Sequence, residues 1–111
     1  MMELNWENIY HMHRYPIKVM LDAVKDYDVK LVCFGSTVKG TATWRSDIDI
    51  AYLAKNAEDD HDIAVALSLA LTDEDYPWFE RDFINMRRIT KGRLLEEIEK
   101  GMLLRGFNTP K

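Results

Sequence analysis

The stretch Val29-Lys30-Leu31-Val32-Cys33-Phe34 constrains the fold of this chain most. Only Lys30 is polar, and Tyr27-Asp28 and Gly35 bound the run, so it reads as a short, mostly buried strand. A buried strand commits the chain to a sheet with covering layers, and the flanking sequence supplies them. Pro16 suits the first turn of a helix, and Ile17, Met20, Leu21 and Val24 then recur at helical spacing to about Asp26. The residues before it, ending in His11-Met12-His13-Arg14-Tyr15, show no clear pattern.

Beyond Gly35, residues 36–40 suit one helical turn closed by Gly40. A polar loop, Thr41 to Ser46, leads into a second strand, Asp47 to Ala54. Asp59-Asp60 offers an N-cap for an apolar helix from Ile63 to Leu71, and Thr72 to Pro77 reads as a loop. Phe79 to Met86 suits a third strand, with Glu80, Asp82 and Ile84 on one face. Thr90 would cap a last helix, Lys91 to Lys100, which Gly101 ends before a short strand, Met102 to Arg105. The order α-β-α-β-α-β-α-β predicts an α+β fold, an α/β sandwich in which helices flank a small mixed sheet of about four strands.

With 111 residues the chain fits a single domain, 1–111, that can bury roughly two-thirds of its unfolded surface. No run approaches the ~20 apolar residues of a membrane span, and Met-Met-Glu-Leu-Asn lacks a signal-peptide pattern. One cysteine, Cys33, allows no internal disulfide and points to a reducing cytoplasm. The net charge of −4 disfavours direct nucleic-acid binding, which leans on clustered Lys and Arg. It does not exclude an anionic ligand bound through metal ions.

Asp47 and Asp49 are where chemistry enters. On a strand, residues i and i+2 point to one face, so the two carboxylates stand side by side. They repel one another unless a cation sits between them, and a hard oxygen site of this kind suits Mg²⁺. Alone, Asp-x-Asp is also the polar face of any half-exposed strand. Gly35-Ser36 changes the weighing: a glycine after an apolar strand lets backbone approach a ligand closely. Ser36 would open the next turn with free N–H groups and a hydroxyl, and Lys39 could also reach phosphate. The dipeptide alone is an ordinary strand-to-helix turn. From average composition the combination would arise by chance in roughly one chain in a thousand of this length. The spacing carries the information.

Gly35-Ser36-Thr37-Val38-Lys39-Gly40 followed by Ser46-Asp47-Ile48-Asp49-Ile50-Ala51 resembles the signature of the DNA polymerase beta-like nucleotidyltransferase superfamily, in its minimal nucleotidyltransferase branch. Phe79-Glu80-Arg81-Asp82-Phe83-Ile84 is similar to the branch's later acidic strand, with Asp82 in the acidic position and Glu80 its rival. Leu94-Leu95-Glu96-Glu97-Ile98, then Gly101-Met102-Leu103-Leu104, is similar to its closing helix and strand. The likeness spans about residues 17–105. Val38 stands where the family often has Ala, and Lys39 where it often has Arg.

The resemblance implies that Asp47 and Asp49 coordinate two Mg²⁺ ions and that Asp82 completes the second site and helps deprotonate an acceptor hydroxyl. Gly35 and Ser36 would cradle the β- and γ-phosphates of ATP or another nucleoside triphosphate. Larger relatives add domains that hold the acceptor, so here it would come from a partner or bind the open sheet face. Within the branch this implies a HEPN-type toxin, with the chain as an AMP-transferring antitoxin. The alternatives are transfer to a small hydroxylated molecule, such as an antibiotic, and neutralisation by binding alone.

Other residues read more plainly. Trp44 and Arg45 could stack on a base or touch phosphate, or pack over the sheet edge. His11 and His13, with no third ligand nearby, suggest solvated histidines, and Cys33 a buried small hydrophobe. Glu58 to Asp62 suggests a solvated helix start. Tyr76-Pro77-Trp78-Phe79 suggests burial beneath a loop, with a partner surface as the other option.

Overall fold

Four strands form one sheet: β1 (Val29–Phe34), β2 (Ile48–Ala54), β3 (Arg81–Asn85) and β4 (Met102–Arg105), in the order β3-β2-β1-β4. The computed structural model describes residues 1–70, 79–90 and 92–108. β1 pairs antiparallel with both β2 and β4, while β2 and β3 run parallel, so the sheet is mixed as the sequence predicts. A parallel pair needs a long crossover, and the segment between β2 and β3 carries helix α3 (Asp60–Leu69).

Strand alternation sends one set of side chains to each face. Leu31, Cys33, Ile48, Ile50 and Met102 join Ile17 and Met20 of α1 (His11–Ala23) and Ile63 and Leu67 of α3 in the larger core, all essentially inaccessible. Val32, Phe34 and Ala51 turn to the other face, where Ile98 of α4 (Arg93–Glu99) covers them. The chain leaves α4 through Gly101, where a Cβ would lie 2.6 Å from the Cys33 carbonyl oxygen and 2.9 Å from Val32 Cγ1. Only a residue without a side chain lets α4 return this tightly to β4. The N-terminal segment adds an isolated bridge from Met2 to Met102.

The elements differ from the sequence reading at helix starts. α1 begins at His11, not Pro16, which lies inside the helix. Burial of His13, Pro16, Ile17 and Met20 on one face outweighs the N–H that proline lacks. α4 begins at Arg93 after Gly92, whose φ of +112° suits glycine, so Thr90 is not its cap. α3 starts with Asp59 at the N-cap position and ends at Leu69. The expected loop Thr72–Pro77, Lys91, and Tyr76 to Trp78 lie outside the described residues. Among the described residues no helix is long and apolar enough to cross a membrane.

Candidate active site

The acids gather on the face of the sheet that α4 covers only in part. Asp49 sits on β2 with Phe34 as its partner on β1 and Asp82 as its partner on β3. Cα partners across a parallel pair point to the same face, so Asp49 and Asp82 stand beside one another. Asp47, two residues before Asp49, flanks the start of β2. Glu80 lies two residues below Asp82, where its carbonyl accepts a 2.9 Å hydrogen bond from the Ile48 N–H. Register therefore puts Asp82, rather than Glu80, level with Asp49.

The crowding has an electrostatic consequence. Burial first, then the charges of Asp82 and Asp47 and a hydrogen bond with Asp82, push the Asp49 carboxyl up to about 6. Either a proton or a cation relieves such a cluster. Asp47 and Asp82 are exposed and Asp49 is half-buried, so the carboxylates line an open edge. Among the described residues no group of three or more His, Cys, Asp or Glu side chains forms a ready-made metal site. An open, all-oxygen donor set suits Mg²⁺, which keeps waters and takes further ligands from phosphate.

Gly35 closes the cluster from the β1 side. Its φ of +80° and ψ of −156° are glycine geometry, and a Cβ at this position would lie 2.5 Å from Asp49 Oδ2. The backbone thus passes directly over the Asp49 carboxylate, leaving a cradle that any side chain would fill. Ser36 follows as the first residue of the one-turn helix α2 (Ser36–Lys39), and Gly40, in the left-handed region, ends it. One turn carries little macrodipole, so a phosphate bound here would be held by the amides and the Ser36 hydroxyl. Lys39 is directed elsewhere. Its Nζ lies 2.5 Å from Glu97 Oε2 on α4, and this contact holds the Glu97 carboxyl below its usual range.

Beside Asp47 lies a cleft of about 360 Å³ lined by Trp44, Arg45, Ser46, Asp47, Phe79 and Glu80. Its outer wall is a fixed turn: Thr43 N–H donates to Ser46 Oγ at 2.8 Å, and Ser46 N–H to the Thr43 carbonyl at 2.9 Å. Trp44 does not pack over the sheet edge. It is 63% exposed, with the Arg45 guanidinium 4.6 Å from its ring centroid. Asp60, read from sequence as part of a solvated start, instead accepts hydrogen bonds from Asn85 and Arg87 at the far end of β3. Cys33 is buried as expected, and burial pushes its thiol up to about 12.

His13 also departs from its sequence expectation of a solvated histidine. It is fully buried, with Nδ1 3.0 Å from Thr37 Oγ1 in α2. The signal was available: His13, Ile17, Met20 and Val24 fall on one helical face, so the amphipathic pattern begins a turn before Pro16. Proline's preference for the first turn masked it.

A solved structure described as "Crystal structure of the toxin-antitoxin with AMP-PNP" matches with a TM-score of 0.58 and 24% identity, over 82% of this chain and 73% of that one. At that identity the likeness supports the fold. No curated protein matches the chain. The family model described as "Polymerase beta, Nucleotidyltransferase" matches residues 19–106, a span that contains Gly35, Ser36, Asp47, Asp49 and Asp82. The chain therefore belongs to the polymerase beta nucleotidyltransferase family.

Proposed function

We propose that this nucleotidyltransferase transfers AMP from ATP to a hydroxyl group on a HEPN-type toxin, and so acts as the antitoxin of a toxin-antitoxin pair. The observation that carries the reading is the Gly35 backbone lying over Asp49, itself in register with Asp82. That arrangement brings a phosphate-binding turn and crowded carboxylates to one point. Asp47, Asp49 and Asp82 would hold Mg²⁺, two ions in all. Bound there, the metal supplies neutralisation of triphosphate charge and acidification of the acceptor hydroxyl.

The chain's own groups do the rest. Gly35 and Ser36 amides and the Ser36 hydroxyl hold the β- and γ-phosphates. The acceptor oxygen forms its bond to the α-phosphorus, the bond to the bridging oxygen breaks, and pyrophosphate leaves. Asp82, on β3 two strands from β1, takes the acceptor's proton. The similarity to a toxin-antitoxin structure described with AMP-PNP supports both a nucleotide substrate and a toxin partner. A buried thiol as the single cysteine suits a reducing cytoplasm.

Incubation with labelled ATP and Mg²⁺, with and without the candidate toxin, tests the proposal. Label on the toxin is the expected result. Label on small hydroxylated compounds alone would move the acceptor to that class. A tight complex with no label anywhere would leave a binding antitoxin.

A further inference from the structure

The cleft beside Asp47 carries groups that the proposed chemistry leaves idle: Trp44, Arg45 and Glu80. It lies off the starts of β2 and β3, since Trp44 to Ser46 lead into Asp47, and Phe79-Glu80 lead into Arg81. The register that pairs Ile48 with Arg81 brings Asp47 and Glu80 to the same mouth, two residues back along the strands from Asp49 and Asp82. The Glu80 backbone is fixed there, because its carbonyl accepts the 2.9 Å hydrogen bond from the Ile48 N–H.

Trp44 is displayed at this mouth rather than stored in the core. It is 63% exposed, and the Arg45 guanidinium lies 4.6 Å from its ring centroid. The turn that carries it is closed by Thr43 N–H to Ser46 Oγ at 2.8 Å and Arg45 N–H to Thr43 Oγ1 at 3.3 Å. An aromatic ring held on such a turn loses little freedom when a flat ligand stacks on it. The walls restrict what else that ligand carries. The Asp47 and Glu80 carboxylates repel phosphate and accept hydrogen bonds from hydroxyl or amino groups. A volume of about 360 Å³ suits one small ligand.

The direction of the reaction selects the occupant. In phosphoryl transfer the attacking and leaving oxygens lie roughly in line through the phosphorus. Here that line runs across the strands, from Gly35 after β1, past Asp49 on β2, to Asp82 on β3. The nucleoside is the substituent of the α-phosphorus that departs from this line, and the cleft departs from it too, along the strands.

We infer that the cleft is the nucleoside subsite, in which Trp44 stacks on the base and Glu80 accepts hydrogen bonds from the ribose hydroxyls. The inference rests on the site assignment above and gives the carboxylate left over beside Asp82 a role of its own.

Calorimetric titration of the full chain with Mg²⁺ and α,β-methylene-ATP, which cannot be cleaved at the transferring bond, tests it. Mg²⁺ with tripolyphosphate, which has no nucleoside, is the control for the phosphate turn. Trp44→Ala should weaken the ATP analogue about fivefold to a hundredfold and leave tripolyphosphate within about twofold. Trp44→Phe keeps a ring and should recover most of the loss. The wild type should bind the 2′,3′-dideoxy form of the analogue about tenfold more weakly, the worth of a hydrogen bond to a charged group. Glu80→Ala should remove that difference. Unchanged affinity for the analogue in Trp44→Ala, or equal losses for analogue and tripolyphosphate, overturns the stacking role. A ribose preference that survives Glu80→Ala overturns the role of Glu80. A raised KM for a protein acceptor with nucleotide affinity intact would seat the acceptor in the cleft and overturn the inference, while the phosphate site stands. A wild-type protein that binds neither the analogue nor tripolyphosphate sinks the site assignment itself.

Discussion

The two faces of the sheet are built from the same strands and have opposite characters. On β2, Ile48, Ile50, Tyr52 and Ala54 face a core closed by α1 and α3, each at most 6% exposed. Between them, Asp49 faces the side where Ile98 of α4 covers Val32, Phe34 and Ala51 in a smaller cluster. One strand, alternating residue by residue, thus supplies both buried core side chains and a crowded carboxylate. The apolar face holds the backbone rigid, and this lets like charges stand together on the other face without pushing the strands apart. A site of repelling groups needs such a scaffold.

The largest effects are expected at the acids. Asp47→Asn or Asp49→Asn should abolish AMP transfer while circular dichroism stays native, since removing one of several like charges seldom destabilises a crowded site. Retained transfer in both variants would remove the assignment. Gly35→Ala should lose transfer as well and destabilise the fold by about 1–3 kcal/mol, because it puts a Cβ 2.5 Å from Asp49 Oδ2 on a backbone with φ of +80°. Chemical denaturation together with labelling measures both effects.

On the closed face, Ile50→Ala, one residue along from Asp49, should cost about 2–5 kcal/mol in thermal or urea unfolding. Below its melting temperature it should still transfer AMP. Loss of transfer in the folded variant would show that the faces are not separable.

The open face should also be visible in pH. Asp49 rises from 3.8 toward about 6 in the native, metal-free protein, so between those values the native state binds more protons than the unfolded chain. Its contribution to stability is full below about pH 4 and is lost as pH rises through 6. In chelator, Tm should therefore fall across this window for the wild type and change less for Asp49→Asn. Mg²⁺ should restore the wild type at pH 7. Identical slopes in the two proteins would falsify the crowding.

The smallest effect is expected at the rim. Glu97→Ala removes an exposed pair with Lys39 and should alter stability by less than about 1 kcal/mol. A lower KM for ATP in that variant would identify Lys39 as a phosphate ligand held in check by Glu97. Unchanged KM in both Glu97→Ala and Lys39→Ala would leave the pair a surface contact.

Much of this molecule is legible locally. The apolar run of β1, its stop at Gly35, the turn closed by Gly40, and β2 and β4 all lie within a residue of their sequence expectations. Each is specified by neighbours a few positions away. The start of α1 was legible too, in the spacing of His13, Ile17, Met20 and Val24, but proline statistics spoke against it. Glu80 and Asp82 could not be told apart, because alternation puts both on one face.

The sequence by itself determined the order of elements, the two apolar stripes and the acids of β2, because periods of 2 and 3.6 residues are properties of the local chain. Tertiary structure alone decided that Asp82 meets Asp49, that Lys39 meets Glu97, and that His13 is buried against Thr37. These depend on strand register and helix docking between segments far apart in the chain. Such contacts are fixed by the burial of whole faces, which no local pattern encodes.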